Sequence, residues 1–414
     1  MIVGAGPVGL LTALFLGEAG IGVRIIDREA RTTSRSYACA LHPRVLALLD
    51  RFGVTPALQR RGRQVPTMAF YDGAERRAEV ELAQSSAAFP FLLILPQEAL
   101  EKTLEDRLRE QTGVAVEWNH RFDGYQAEGD SVVVRVEKLG GTALGYIVPH
   151  WETVVEKQFP VQARFLVGAD GHHSLVRQRL GVELAGPAVP EYFAAYEFET
   201  EGLAAAEARV VLDEGTTNVL WPLPGNRSRW TFQLTKSEVA AEFPEKERRA
   251  VQFEHVAADP RVRQFVEKLC RERAPWFDGG IRAVTWCTSV AFTPQLAGSY
   301  GRERCWLAGD AAHQTGPVGA QSMNVGMCEA AALAGRLRAI LRGGASLGSL
   351  GQYESQWRGL WQQLLGTEGG LRPRPQTSDW VRRRAGRLLP CLPGCGDELA
   401  GLANQLALDF QRGS

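Results

Sequence analysis

The sequence predicts an α/β protein: a first domain with a parallel sheet and a β-meander, a mixed-sheet domain inserted into it, and a helical C-terminal region. Three features lead there. Apolar runs at Met1-Ile2-Val3, Phe165-Leu166-Val167 and Cys305-Trp306-Leu307 each meet a glycine-bearing turn and then a helical pattern, as buried parallel strands do. From Pro187 the pattern changes to short strands punctuated by turns. After Gly351, Pro373, Pro375, Pro390 and Pro393 cut a helical pattern into pieces.

The first run enters Gly4-Ala5-Gly6-Pro7-Val8-Gly9, spaced G-x-G-x-x-G. Gly4 permits the tight turn, Gly6 clears the backbone for a pyrophosphate, and Gly9 lets the helix pack on the strand. An apolar helix follows over Leu10 to Ala19, then a strand Val23 to Ile26 that closes on Asp27, placed to accept from a ribose hydroxyl. The free N–H groups of the helix start attract phosphate. This β-α-β unit predicts a Rossmann-like dinucleotide site. Its first strand is short, which suggests a natural chain that begins further upstream.

Further along, Leu41 to Leu49 opens a helix with Pro43 in its first turn, Leu46, Leu49 and Phe52 on one face, and Gly53 at its end. Strands are expected at Met68 to Tyr71 and Arg77 to Leu82 around Asp72-Gly73, and a helix at Glu98 to Gln111 opened by Pro96-Gln97. Val116 to Trp118, Ser131 to Val136 and Gln162 to Val167 read as strands, with Gly140 to Glu156 as a hairpin insertion. Strands Ala194 to Thr200, Arg209 to Leu212, Asn218 to Trp221, Trp230 to Leu234 and Ile281 to Phe292 follow, with Pro224-Gly225-Asn226 as a hairpin turn. Lys246 to Arg273 is charged and helical, and Met323 to Leu341 is a helix of small residues.

Composition narrows the classes. At 414 residues, 45% hydrophobic and 23% charged, the chain is an ordinary globular one with room for two or three domains. A formal net charge of zero gives no general field for nucleic acid. Seven scattered cysteines form no disulfide framework, and Cys391 and Cys395 lack a second pair, so no metal is expected. No apolar run is long enough to span a membrane and the start does not read as a signal peptide, so a reducing cytoplasm is expected.

Three motifs together resemble the FAD-dependent aromatic hydroxylases, single-component flavoprotein monooxygenases of the p-hydroxybenzoate hydroxylase type. They are Gly4 to Gly9 with Asp27; Gly168-Ala169-Asp170-Gly171 through Arg177; and Leu307 to His313 with Pro317 to Asn324. The resemblance covers residues 1 to about 340 and implies a discontinuous layout: residues 1–68, 92–186 and 281–345 in the first domain, 69–91 and 187–280 in the inserted sheet, and 346–414 in the helical region. It implies that Gly4, Gly6, Pro7, Val8 and Gly9 hold the FAD pyrophosphate, with Asp27 and Arg28 at the adenosine end. Gln97 and Asp170 would serve FAD, Gly309 and Asp310 the ribityl chain or pyrophosphate. Pro317, Gly319, Ala320, Gln321, Ser322, Met323 and Asn324 would border the isoalloxazine, where the helix start faces the charge that collects on reduction. Arg35 is the candidate loop arginine, although Tyr37 sits nearer the family's position. Ser322 replaces a usual glycine, Glu329 an aspartate, and His172-His173 small or basic residues.

The implied reaction uses NADH or NADPH and O2 to hydroxylate or epoxidise an aromatic or polycyclic small molecule through a flavin C4a-hydroperoxide, a species that demands exclusion of water. Pro317, Gly319 and His313 are the catalytic candidates, although His313, inside its fingerprint, also reads as structural. Trp221 is the substrate candidate. The absence of a second G-x-G-x-x-G is consistent with a nicotinamide that docks transiently on the FAD domain. A monomer or homodimer is expected. Alternatives are an FAD-dependent reductase or other oxidoreductase on the same scaffold, or a membrane-surface flavoprotein. The last rests on Arg372, Arg374, Arg382, Arg383, Arg384 and Arg387 beside Trp380, Val381, Leu388 and Leu389, whose plainer reading is a solvated face packed on the core.

Overall fold

The computed structural model describes residues 1–32, 38–84, 88–144, 150–187, 189–200, 206–242, 252–254, 257 and 259–411. Its first layer is a six-stranded sheet in the order Gly301–Arg302, Cys305–Leu307, Leu166–Gly168, Ile2–Val3, Ile25–Ile26, Val116–Glu117. All neighbours are parallel except the edge hairpin of the first two. Ile2 is in register with Val167 and with Ile25, and Val167 with Trp306. The three apolar runs therefore lie side by side, and their turns leave the same end of the sheet.

The helix Pro7–Glu18 is apolar nearly throughout because most of it is enclosed, with Glu18 exposed at its end. It packs between the helices Gln97–Thr112 and Gln321–Gly343. Its approach to the former requires Gly17, where an added Cβ would lie 2.5 Å from Thr112 Cγ2. Leu46, Leu49 and Phe52 all face the core from the helix Pro43–Asp50 and its following turn.

The meander runs His120–Glu128, Ser131–Leu144, His150–Ala163, antiparallel throughout. Of Gly140 to Glu156, expected as a hairpin insertion, residues 140–144 and 150–156 continue the ladder of the flanking arms, and 145–149 lie outside the described residues. The expected strand Gln162 to Val167 divides at Arg164-Phe165: the meander ends at Ala163 and the parallel strand begins at Leu166. One strand-like stretch serves two sheets.

The second layer is an eight-stranded mixed sheet, ordered Gln252–Glu254, Val284–Phe292, Glu191–Glu199, Arg227–Leu234, Thr217–Leu223, Glu207–Leu212, Thr67–Asp72, Glu75–Glu81. Among the described residues, its one parallel pair joins Glu207–Leu212 to Thr67–Asp72. Val284–Phe292 lies beyond the boundary expected at residue 280, yet it hydrogen-bonds along Glu191–Glu199 and so extends this sheet. Gly225 and Asn226 turn the hairpin with φ of 70° and 54°. The two faces differ. Tyr71, Leu220, Trp230 and Phe232 pack against Phe265, Val266 and Leu269 of the helix Pro260–Arg273. Phe70, Val210, Val219, Trp221 and Leu223 face the core of the first domain. That helix is the second half of the charged stretch expected from Lys246; most of residues 246–259 lie outside the described residues.

The C-terminal region holds the helices Ser349–Leu364, Asp379–Leu388 and Asp397–Gln405. It also has a two-stranded ribbon, Gly370–Pro373 with Leu408–Gln411, that its prolines conceal in the sequence. The membrane-surface reading fails on its anchors. Trp380, Val381, Leu388 and Leu389 are all buried in the main core. Trp380 Nε1 donates to Asp72 Oδ2 at 2.9 Å, and Arg384 Nε donates to the Leu212 carbonyl at 3.1 Å. The amphipathic face grips the mixed sheet instead of lipid. Among the described residues no helix is long and apolar enough to cross a membrane.

Candidate FAD and substrate site

The three glycines of the first turn do different work. Gly4 has φ of 102°, and a Cβ there would sit 2.2 Å from the Ala169 carbonyl oxygen of the second turn. A Cβ on Gly9 would lie 1.9 Å from the Gly4 oxygen. Gly6 meets nothing within 4 Å. Two glycines are thus required by packing, and the third opens onto free space at the start of a helix that no side chain caps. That is the cradle a pyrophosphate needs. Asp27 lies beside it: its Oδ2 accepts from the Ala5 N–H at 2.7 Å and its Oδ1 from the Glu29 N–H at 2.9 Å. Arg28 is mostly exposed and pairs with Glu29 at 3.4 Å. Arg35 lies outside the described residues.

The second and third turns meet the first. Asp170 accepts from the Ser174 hydroxyl at 2.5 Å and the Val176 N–H at 3.1 Å; burial pushes its carboxyl upward against these bonds. Arg177 crosses between the turns, donating to the Ala311 carbonyl at 2.9 Å and the His172 carbonyl at 3.0 Å. Gly309, at φ of 66°, leaves room for Val8: a Cβ there would lie 2.8 Å from Val8 Cγ2. Gly326 closes the same contact from the long helix, its added Cβ 2.9 Å from the Gly309 Cα. Sequence reading did not single out Arg177 as a tie or Gly326 as a packing glycine.

Around Gln321–Gly343 the expected residues come together, with their side chains turned inward. The helix starts after Ala320, which has φ of 51° and leaves the first turn without a side-chain cap. Gln321 is buried and donates to the carbonyls of Leu389 and Leu392, both at 3.1 Å. Asn324 Nδ2 donates to the Ala40 and Ala320 carbonyls at 2.8 Å, and its Oδ1 accepts from the His42 N–H at 2.8 Å. His42 Nε2 meets the Gly319 carbonyl at 2.9 Å, and burial pushes its pKa down to about 4. The ring is therefore neutral and donates from Nε2. Gly319 is wedged in turn, since a Cβ would lie 2.3 Å from the Pro390 oxygen. The Pro317 carbonyl accepts from Ala320 N–H at 3.3 Å. What this segment leaves for a ligand is its backbone, with half-buried Asp310 and Ser322 bonded to each other at 2.5 Å. Met323 packs against the core.

His313, a catalytic candidate that also reads as structural, is held by partners of a structural kind. It is fully buried, stacked on Trp361 at 3.8 Å between centroids, with Nε2 on Glu329 Oε2 at 2.9 Å. The face of its ring and its Nε2 are thus taken up by Trp361 and Glu329. Gln97, at the start of its helix, accepts from the Ala38 N–H at 3.1 Å and donates to Glu101 at 2.8 Å. Across from the third turn stands the mixed sheet. A Cβ on Gly316 would come within 3.5 Å of the Phe193 ring. Trp221, 2% exposed, lies on this inner face and is in register with Arg229. Arg229 Nε donates to Glu197 Oε1 at 3.0 Å, and both side chains are buried. Cys39 lies within electrostatic reach of that pair, its thiol pushed up to about 11 by burial. The Glu197–Arg229 pair joins two residues more than thirty positions apart, so no local signal announces it.

Comparisons with known proteins agree with this geometry. Residues 1–367 match the FAD binding domain family. The para-nitrophenol 4-monooxygenase of Pseudomonas sp. (strain WBC-3) is 28% identical over 367 residues, covering 85% of this chain and 81% of that protein. The 6-methylpretetramide 4-monooxygenase of Streptomyces rimosus is 29% identical over 358 residues; the match covers 86% of this chain but only 58% of that longer relative. The crystal structure of p-nitrophenol 4-monooxygenase from Pseudomonas putida DLL-E4 superposes with a TM-score of 0.72 at 25% identity, covering 87% of this chain and 84% of that one. The chain belongs to the FAD-binding-domain family of flavin-dependent aromatic hydroxylases.

Proposed function

We propose that this protein uses NADH or NADPH and O2 to insert one oxygen atom into an aromatic or polycyclic small molecule bound between the third turn and the mixed sheet. The observation that carries the reading is the meeting of three turns at one end of a parallel sheet, with open space over Gly6 and uncapped helix starts at Pro7 and Gln321. The residues suit FAD: the first helix start would take the pyrophosphate, Asp27 the adenosine ribose, and Asp310 the ribityl chain or pyrophosphate. Backbone N–H groups after Ala320 would face the isoalloxazine. When bound, FAD accepts a hydride from the nicotinamide and activates oxygen.

The chain's own residues supply position and exclusion. Asn324, Gln321 and His42 fix the loop that would border the ring, and none needs to touch it. Phe193, Trp221 and the self-neutralised Glu197–Arg229 pair would form the substrate wall. The relatives' names, with p-nitrophenol and 6-methylpretetramide, support an aromatic ring as the substrate class. The test is direct. The purified protein, reconstituted with FAD, is given NADH or NADPH and a panel of phenols, quinones and quinolones. Oxidation stimulated by one compound, with an oxygen atom from O2 in its product, is the expected result. Failure to take up FAD at all would overturn the reading.

A further inference from the structure

We propose that Glu329 is a positioning residue for the cofactor end of the third turn, acting through Gly309 on one side and through His313 and Ser322 on Asp310. The inference rests on the reading of Asp310 as an FAD ligand. Glu329 is fully buried, one helical turn and more beyond the residues assigned to the flavin. Its Oε2 accepts from the Gly309 N–H at 2.8 Å and meets His313 Nε2 at 2.9 Å. Its Oε1 accepts from Trp361 Nε1 at 2.9 Å and from the Tyr300 hydroxyl at 3.3 Å. A buried carboxylate is tolerated only when its acceptor sites are filled, and here four partners fill them.

The arrangement has a direction. The Trp361 ring stacks on His313 at an interplanar angle of 21°, which fixes the plane of the imidazole. Glu329 then fixes its rotation, because Nε2 must present its proton to the carboxylate. Nδ1 is left facing Ser322 Oγ at 3.5 Å, and that hydroxyl donates to Asp310 Oδ1 at 2.5 Å. The chain of contacts thus runs from an enclosed carboxylate to a half-buried one at the turn. Gly309 joins it by a second route, because its N–H is held by the same carboxylate while its Cα lies against Val8 and Gly326.

A network that merely filled the core would lower the melting temperature of Glu329→Gln and leave its affinity for FAD unchanged. Positioning predicts a weaker cofactor complex at temperatures where circular dichroism shows the variant folded. The expected rise in FAD dissociation constant, followed by quenching of flavin fluorescence, is about tenfold. Ser322→Ala should also weaken binding, and it should add little once Glu329 has been changed, since both act on Asp310 along one route. If Glu329→Gln does not fold, His313→Gln takes its place in the cycle, because it cuts the same route and leaves three donors on Glu329. Undiminished FAD affinity in the folded variant, or fully additive losses with Ser322→Ala, would overturn the inference while the flavin reading stands. A wild-type protein that takes up no flavin overturns that reading, and this inference with it.

Discussion

The first and third turns contact one another at Val8 and Gly309, yet they are specified in opposite ways. The first is shaped by missing side chains: Gly4 and Gly9 exist because backbone oxygen atoms occupy the space a Cβ would take. The third is shaped by side chains that are present and buried, with Gln321, Asn324, His42, His313 and Glu329 all bonded inward. A steric turn tolerates no addition at its packing glycines, and a polar turn tolerates no loss of a partner. The two should therefore fail differently under mutation and under a change of pH.

The largest effect separates glycines within the first turn. Gly9→Ala forces a methyl to 1.9 Å from a backbone oxygen that cannot rotate away, and should cost about 3 kcal/mol or more. Little soluble protein is expected. Gly6→Ala adds a methyl to open space at φ of −70°, which alanine adopts freely. That variant should melt with the wild type and bind FAD much more weakly. Equal melting temperatures for the two variants would erase the distinction between packing glycine and cradle glycine.

The next effect is carried by His42, which bonds to Gly319 in the third turn. Burial lowers the pKa of His42 from 6.5 to about 4, so the folded protein keeps the ring neutral where the unfolded chain would protonate it. Its contribution is complete above pH 6.5. It is lost as pH falls from there towards 4, because the unfolded state binds the extra proton. At ~1.4 kcal/mol per pKa unit, the loss is on the order of 3 kcal/mol over the whole window. Urea unfolding at pH 7 and at pH 4.5 should show the decline. His42→Gln, which can still donate to the Gly319 carbonyl, should flatten the difference between the two pH values. An unchanged difference would assign the pH dependence to other groups.

This contrast also explains what could be read from the residues alone. Missing side chains leave a local mark: Gly4, Gly6, Gly9 and Asp27 are legible from spacing, as are the strands that carry them and a helix end such as Gly53. Buried polar partners leave none. The His42 N–H meets Asn324 across 282 positions, and Gln321 meets carbonyls some seventy positions away. His313 invites a catalytic reading because histidine titrates near neutrality, and only the stacked Trp361 and the carboxylate of Glu329 give it another task. The division of Gln162 to Val167 between two sheets was hidden likewise, since both halves suit a strand. Local chemistry marks where the chain turns, and distant partners decide what a polar residue in that turn is for.

The smallest expected effect tests a side chain on which the first turn does depend. Asp27 holds the Ala5 and Glu29 N–H groups, so Asp27→Asn replaces one acceptor by an amide donor and leaves one N–H unmatched. The loss should be about 1 kcal/mol, a few degrees at most in melting temperature. If the carboxylate also receives the adenosine ribose, FAD affinity should fall several-fold further than the loss of stability requires. The competition of free adenosine diphosphate for the site should weaken in parallel, because that fragment carries the same ribose. If stability falls while both affinities hold, Asp27 only clamps the loop, and the first turn resembles the third in depending on a polar side chain that its ligand never meets.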